Sequence, residues 1–350
     1  MSTLRELAEY TGFSITTISR VLNSDPTMNV SDATRETILK AAGELHYKNV
    51  PGRFRVGNAP ALRFGFAEML SPAEQLADPY YLYLKNYAEQ HCRDLGYGVT
   101  GLCERVGNYE RTSAEKLSGV LAIGIFSDEQ VLQLSGLSGH IVFLDSSPDE
   151  LRYDSVVLNF RLGVEQATES LISLGHRRLG FLGPVCKLDQ RKRPAPEIRR
   201  QIFIRYLQER GLFDDRFLLD APMDAAGARA ALSEHIASGA PLPTALLAAN
   251  EEAAIGALNA AKAAGLRVPE DLSIISFNDT PLGALTDPPL SGVCTHVEAM
   301  SAAAVDLLAR RCMGQETAVP LKIVVPPALV LRESVCAARR DLENTEAEKC

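Results

Sequence analysis

Residues 14–34 carry hydroxyls, an amide and a guanidinium at spacings that suit contact with a phosphodiester backbone and with base edges. A helix starting after Ser14, a good N-cap, buries Ile18, Val21 and Leu22 and turns Ile15, Thr16, Ser19, Arg20 and Asn23 outward. That outward set is short, mostly polar and free of acids, so nothing on it repels phosphate. Arg20 has the fork that bridges O6 and N7 of a guanine, and Ile15 and Thr16 suit a thymine methyl or a single base edge. Ser14, Thr17, Ser19, Asn23, Ser31 and Thr34 offer groups that fix register on a backbone. The same pattern also fits a small solvated three-helix cap, and spacing alone leaves both readings open.

The elements that hold these residues are short. Leu4, Leu7 and Ala8 recur at helical spacing and predict a helix ending near Tyr10, where Thr11-Gly12 supplies a tight turn. Residues 23–29 read as a loop, and Ser31 with Asp32 opens a third helix with Ile38, Ala41, Ala42 and Leu45 inward. Helix, glycine turn, helix, loop, helix is the helix-turn-helix arrangement. Charge agrees in a small way. Residues 1–57 carry net +1 against −8 for the chain, so a mildly basic head sits on an acidic body.

Three hundred and fifty residues suggest two or three domains, and 46% apolar with 23% charged composition is ordinary globular usage. Collagen-like, coiled-coil and disordered classes are excluded. Apolar runs such as 120–126 are of strand length, far below the roughly 20 residues of a membrane span. The first turns contain acids and no apolar h-region, so a secretory signal is not expected and the cytoplasm is. Cysteines 92, 103, 186, 294, 312, 336 and 350 are odd in number and never spaced CxxC, which implies reduced thiols, no metal site and no cofactor. GxSxG, Walker A and HExxH are all absent, so no enzyme is expected.

From residue 62 strand-like and helix-like segments alternate: strands at 62–67, 97–102, 119–126, 141–144, 178–182, 245–248 and 272–277, helices at 80–95, 162–174, 197–210, 225–236 and 253–264. Such alternation means an α/β core of parallel sheets with helices on both faces. Ligands in these sheets bind beyond the carboxyl ends of the strands. The run Arg191-Lys-Arg reads as solvated charge, and His176 as structural.

The stretch from Leu4 to Asn23, Val30-Ser-Asp-Ala-Thr-Arg and Ala41-Ala-Gly-Glu-Leu-His-Tyr together resemble the headpiece of the lactose/galactose repressor family of bacterial transcription regulators. The core is similar to the same family at 163–183, 243–250, 269–279 and 288–291, so the resemblance covers about 3–332. It implies two Rossmann-like lobes, periplasmic-binding-protein-like, around a cleft. The expected organisation is a headpiece at 1–47, a hinge at 48–61, a core at 62–332 and an exposed tail at 333–350. Lobe 1 is expected at about 62–159 plus 291–320 and lobe 2 at about 160–290 plus 321–332. The family usually follows its headpiece with a hinge helix whose leucine wedges into the minor groove. Here Pro51-Gly52 interrupts a helix, and Phe54 or Val56 stands in for the leucine, with Arg53 and Arg55 in reach of phosphates; a plain linker is the alternative.

The resemblance also implies the pocket: Asp145 accepting from hydroxyls, Arg199 donating in a fork, Asn250 and Asn278 at strand ends, Tyr80 or Tyr81 stacked on a sugar face, and Thr295 near the crossing between lobes. Each has an ordinary counterpart as a cap, a turn or core packing, and Arg200 competes with Arg199 by register. Asn23-Ser-Asp-Pro-Thr-Met-Asn-Val, Asp78-Pro-Tyr-Tyr, a shortened 103–120 segment and Asn278-Asp279 are similar to the family members that govern β-galactosidase operons. They imply a galactoside effector. The expected protein is a homodimeric repressor, with a tetramer open, that binds near-palindromic double-stranded operator DNA and no membrane. The alternatives are a sugar-binding protein or sugar-active enzyme with a cap that does not bind DNA, and a regulator with a phosphorylated or purine effector.

Overall fold

A computed structural model describes residues 4–22, 30–44, 62–71, 74–75, 79–105, 108–111, 116–315 and 318–339. The chain divides into two compact units, 1–60 and 61–350. Asn23, Arg53, Phe54, Arg55 and Val56 lie outside the described residues.

The first unit is three helices, α1 (Leu4–Thr11), α2 (Ile15–Leu22) and α3 (Asp32–Glu44). Leu7, Ile18, Val21, Ile38, Ala41 and Ala42 pack as its core, on the spacing the sequence shows. Gly12 makes the turn at φ +74°, and its amide donates to Ala8 at 2.9 Å. One capping device is used twice. Ser14 Oγ accepts from the Thr17 amide at 3.1 Å, and Ser31 Oγ accepts from the Thr34 amide at 3.3 Å.

The second unit lays down β1 (Arg63–Glu68), α4 (Tyr80–Leu95), β2 (Gly98–Arg105), β3 (Asn108–Arg111), β4 (Gly119–Ile123), α5 (Asp128–Leu137), β5 (Ile141–Leu144) and β6 (Asp154–Leu158). It then crosses at Asn159 into α6 (Phe160–Ser173), β7 (Leu179–Gly183), the hairpin β8 (Cys186–Leu188) and β9 (Pro194–Pro196), α7 (Ile198–Gln208) and β10 (Leu218–Asp220). α8 (Ala225–Ala237), β11 (Ala245–Ala248), α9 (Glu251–Ala263), β12 (Ser273–Asn278), β13 (Ser291–Cys294), α10 (Val297–Cys312), β14 (Lys322–Val325) and β15 (Ala328–Val330) follow. The larger sheets run β14-β6-β5-β4-β1-β2-β3 and β10-β7-β11-β12-β13-β15. All their pairs are parallel except β2 with β3 and β13 with β15.

Both faces of each sheet are covered, which is why the central strands are continuous apolar runs. Leu121 and Ile123 of β4 face α4 and α10, while Val120 and Ala122 face α5. In the second lobe Leu247 packs with α6 and α7, and Leu246 with α8 and α9.

Two sequence expectations, the lobe bounds and the tail, are corrected. β13 pairs with β12, so 291–294 belong to lobe 2; β14 pairs with β6, so 322–325 belong to lobe 1. These partners lie far away in the chain, and no local pattern specifies them. The short segment after Cys103 holds β3, folded back onto β2. Residues 333–339 are not a free tail. Ser334 is fully buried, its Oγ donates to Ile274 at 2.6 Å, and the Ala338 amide donates to Leu174 at 2.8 Å. His176 bridges Thr244 and the Cys336 carbonyl at 3.0 Å each, and burial holds its pKa below the usual histidine value. No described helix is long and apolar enough to cross a membrane.

Gly256 lets α8 and α9 approach closely: an added Cβ would run into the Ala225 carbonyl oxygen and come within 2.9 Å of Ala228 Cβ. Gly256→Ala therefore overpacks backbone against backbone and should cost about 1–3 kcal/mol, read as a lowered urea midpoint with the slope unchanged.

Candidate functional site

On the headpiece, Ile15, Thr16 and Arg20 are exposed along one side of α2. Ser14 and Thr17 join hydroxyls at 2.8 Å, as do Ser31 and Thr34 at 2.9 Å, at the starts of α2 and α3. Oriented hydroxyls and amides at two helix N-termini favour phosphate. Ser19 departs from its expected outward position and is buried. It lies one helical step from Ile18, at the edge of the apolar stripe, and its short side chain is covered there. Arg20→Ala should cost about 1–3 kcal/mol at a specific site and little on random DNA. Equal losses in a fluorescence-anisotropy titration on both DNAs would make Arg20 a phosphate contact instead.

In the core, four non-glycine residues with positive φ follow the carboxyl ends of strands: Asp145 (71°) after β5, Asn278 (94°) and Asp279 (50°) at β12, and His296 (51°) after β13. Strained backbone of this kind concentrates at binding sites, and the crevice beyond strand ends is where such folds bind ligands. Asp145 is buried, accepting from the Tyr80 hydroxyl at 3.2 Å on Oδ1 and from the Tyr81 hydroxyl at 3.0 Å on Oδ2. The two rings meet edge to face with centroids 5.2 Å apart. Both tyrosines are buried and orient the carboxylate, which replaces their expected role as a stacking platform. Burial pushes the Asp145 carboxyl up to about 6, against the pull of the Tyr81 hydroxyl, the Lys187 charge, the Tyr80 hydroxyl and the Arg199 charge.

Arg199 opens α7 from the facing lobe. Its guanidinium lies against two phenyl rings that also pack on each other, Cζ 5.4 Å from the Phe160 centroid and 5.6 Å from Phe277. Nε donates to Glu197 at 2.6 Å and Nη1 to the Ala249 carbonyl. Arg200 donates to the Gly183 carbonyl at 3.0 Å. Phe160 and Phe277 come from different elements, and no sequence pattern marks them as a pair beside a guanidinium.

The remaining expected residues separate from this cluster. Asn250 is fully buried: Oδ1 caps α9 on the Ala253 amide at 3.0 Å, while Nδ2 donates to the Met223 carbonyl and to Glu252, each at 2.8 Å. Thr295 is buried and donates to the Asn278 carbonyl at 3.3 Å. Asn278 lines a cavity of about 580 Å³ with Tyr83, Tyr87, Asp279 and His296. Arg191 and Lys192, expected as solvated charge, reach the other lobe: Arg191 Nε donates to the Pro148 carbonyl at 3.1 Å, and Lys192 Nζ to Gln130 at 3.4 Å. Among the described residues no three His, Cys, Asp or Glu side chains group to hold a metal ion.

A two-lobed core with a buried polar cluster at its strand ends, joined to a helix-turn-helix unit, defines a ligand-responsive DNA-binding regulator. Comparison with known proteins agrees. Residues 3–49 match the model for bacterial regulatory proteins of the lacI family, and 168–335 match a periplasmic binding protein-like domain. The HTH-type transcriptional regulator GalR of Streptococcus thermophilus is 32% identical over 95% of this chain and 99% of its own. The HTH-type transcriptional repressor MelR of Bacillus subtilis (strain 168) is 31% identical over 97% of this chain and 99% of its own. Among solved structures, the lac repressor dimer bound to operator and the anti-inducer ONPF is similar at TM-score 0.64 and 25% identity, over 96% of this chain and 99% of that one. The transcriptional regulator CelR–cellobiose complex is similar in fold at TM-score 0.62 and 24% identity, over 95% of this chain and 100% of that one. The chain belongs to the lacI family of bacterial regulatory proteins. It is a DNA-binding transcriptional regulator and not an enzyme.

Proposed function

We propose that the protein is a cytoplasmic homodimeric repressor that releases a near-palindromic operator when a galactoside enters the cleft between its lobes. The observation that carries this reading is the Asp145 cluster: a buried carboxylate oriented by two tyrosine hydroxyls and drawn on by the Arg199 charge. A carboxylate takes hydrogen bonds from paired hydroxyls, and a planar fork donates to ring and hydroxyl oxygens. The lac repressor relative supports a dimer on operator, and the cellobiose of the CelR complex supports a sugar. Galactosides are favoured by the sequence marks shared with regulators of β-galactosidase operons. By linkage, effector and operator weaken each other by the same free energy.

The test is a thermal-shift screen of the purified protein against lactose, galactose, other galactosides, glucosides, sugar phosphates and purines, followed by operator release. A ligand at 100 times its Kd stabilises by about 2.7 kcal/mol. Stabilisation by galactosides with loss of operator binding is the expected result. A response confined to sugar phosphates or purines overturns the galactoside effector.

A further inference from the structure

The geometry points to a clasp over this cleft: the β8–β9 hairpin fastens lobe 2 onto lobe 1 and presents Lys187 as a specificity-determining contact for a vicinal diol of the effector. The inference rests on the cleft being the effector site, as proposed above.

The tip of the hairpin is built to be rigid. Asp189 Oδ1 accepts from the Arg191 and Arg193 amides at 2.8 and 2.9 Å, and Oδ2 from the Arg193 guanidinium at 2.8 and 3.0 Å. The Asp189 amide donates to the Arg193 carbonyl at 2.8 Å, and Lys192 turns the corner at φ 58°. A tip ordered from within loses little entropy when it docks. It docks on lobe 1. Gln190 Oε1 accepts from the Ser147 amide at 2.6 Å, Arg191 reaches the Pro148 carbonyl and stands 3.8 Å from Asp128, and Lys192 reaches Gln130.

The two short strands then set which side chain faces inward. Lys187 is opposite Ala195 in the register; both are half-buried, whereas Cys186, Leu188, Pro194 and Pro196 are exposed. Lys187 is three residues before the Gln190 that grips Ser147, and Ser147 is two residues past Asp145. The Lys187 charge draws the Asp145 carboxyl down, against the larger push of burial. Together the two groups offer a diol one acceptor and one donor. A carboxylate only accepts and an ammonium only donates, so adjacent hydroxyls satisfy both by donating to one and accepting from the other. An anionic ligand meets the Asp145 charge, and a ring lacking one of the two hydroxyls forfeits one of the two contacts.

Two arms test this on the full-length protein. In the first, wild type and Lys187→Met are titrated calorimetrically with methyl β-D-galactopyranoside and its monodeoxy analogues. Lys187→Met should bind the parent about tenfold more weakly and lose the penalty that wild type imposes on one deoxy position, a coupling that a merely structural lysine does not produce. Binding of every probe within twofold of wild type overturns the contact. In the second arm, hydrogen exchange is followed without sugar. Replacing Gln190 and Arg191 together by alanine should speed exchange at the Ser147 amide at least fivefold, and an unchanged rate overturns the clasp. Wild-type protein that takes up none of the probes sinks the galactoside reading and the Lys187 contact with it, while the exchange arm still decides the clasp.

Discussion

Asp145→Asn is expected to raise the Kd for a galactoside about 100-fold while the protein keeps its hold on the operator, giving a repressor that no longer responds. Asparagine tolerates the left-handed backbone at φ 71° and matches the carboxylate in size, so the fold is retained. What is lost is charge. Hydrogen bonds to a charged acceptor contribute roughly 1.5–3 kcal/mol against 0.5–1.5 for neutral pairs, so two of them account for about 2–3 kcal/mol. That corresponds to about 100-fold in affinity. The amide also places an NH2 where one of the Tyr80 and Tyr81 hydroxyls now donates, so one tyrosine must turn its proton away. Calorimetry against the galactoside and a mobility-shift titration against operator separate the two effects. Unchanged sugar affinity sinks Asp145 as the anchor.

The same residue carries a pH signature. Burial raises its pKa from 3.8 to about 6, so the folded, sugar-free protein takes up a proton that the unfolded chain releases. The burial penalty is fully present above pH 6, where it amounts to about 3 kcal/mol, and disappears as the pH falls towards 3.8. Acidification through that window therefore relieves the empty protein of strain at Asp145. It also removes the carboxylate that the sugar needs, so galactoside affinity should fall below pH 6 in wild type. In Asp145→Asn it should be flat across the same range.

The headpiece was legible because its determinants are local. Ser14 and Thr17, then Ser31 and Thr34, are cap and first turn of consecutive helices, and Gly12 marks the corner between α1 and α2. Ser19 was misplaced because a serine at the stripe's edge has no hydrophobic signature. The core's alternation was equally legible, whereas the exchange of β13 and β14 between lobes was not, since parallel partners are chosen across long stretches of chain. The β8–β9 hairpin escaped notice because three-residue strands with two prolines in one of them lack strand periodicity. Asn250 shows the limit most clearly. An asparagine after a strand and before a helix is suited equally to ligand and to cap, and here both its amide hydrogens and its oxygen are engaged inside the protein.

Glu197→Ala should destabilise the protein by about 3–5 kcal/mol, the cost of leaving one member of a buried ion pair without the other. Glu197 and Arg199 are both almost fully buried, and Glu197 serves two groups at once: Oε1 takes Arg199 Nε at 2.6 Å, and Oε2 takes the Arg200 amide at 2.8 Å. Alanine therefore strands a guanidinium beside two phenyl rings and uncaps the first turn of α7. Glu197→Gln keeps an acceptor but no charge, so its cost should be smaller, about 1–2 kcal/mol. Urea melts of the two variants separate charge from capping, because only the alanine removes both. The consequence reaches the cleft although Glu197 does not face the sugar. It is the residue that fixes Arg199 Nε, so the glutamine variant should lose galactoside affinity at a stability still sufficient for folding. A Glu197→Ala variant within about 1 kcal/mol of wild type would mean that water reaches Arg199, and that the two rings alone do not hold the guanidinium in place.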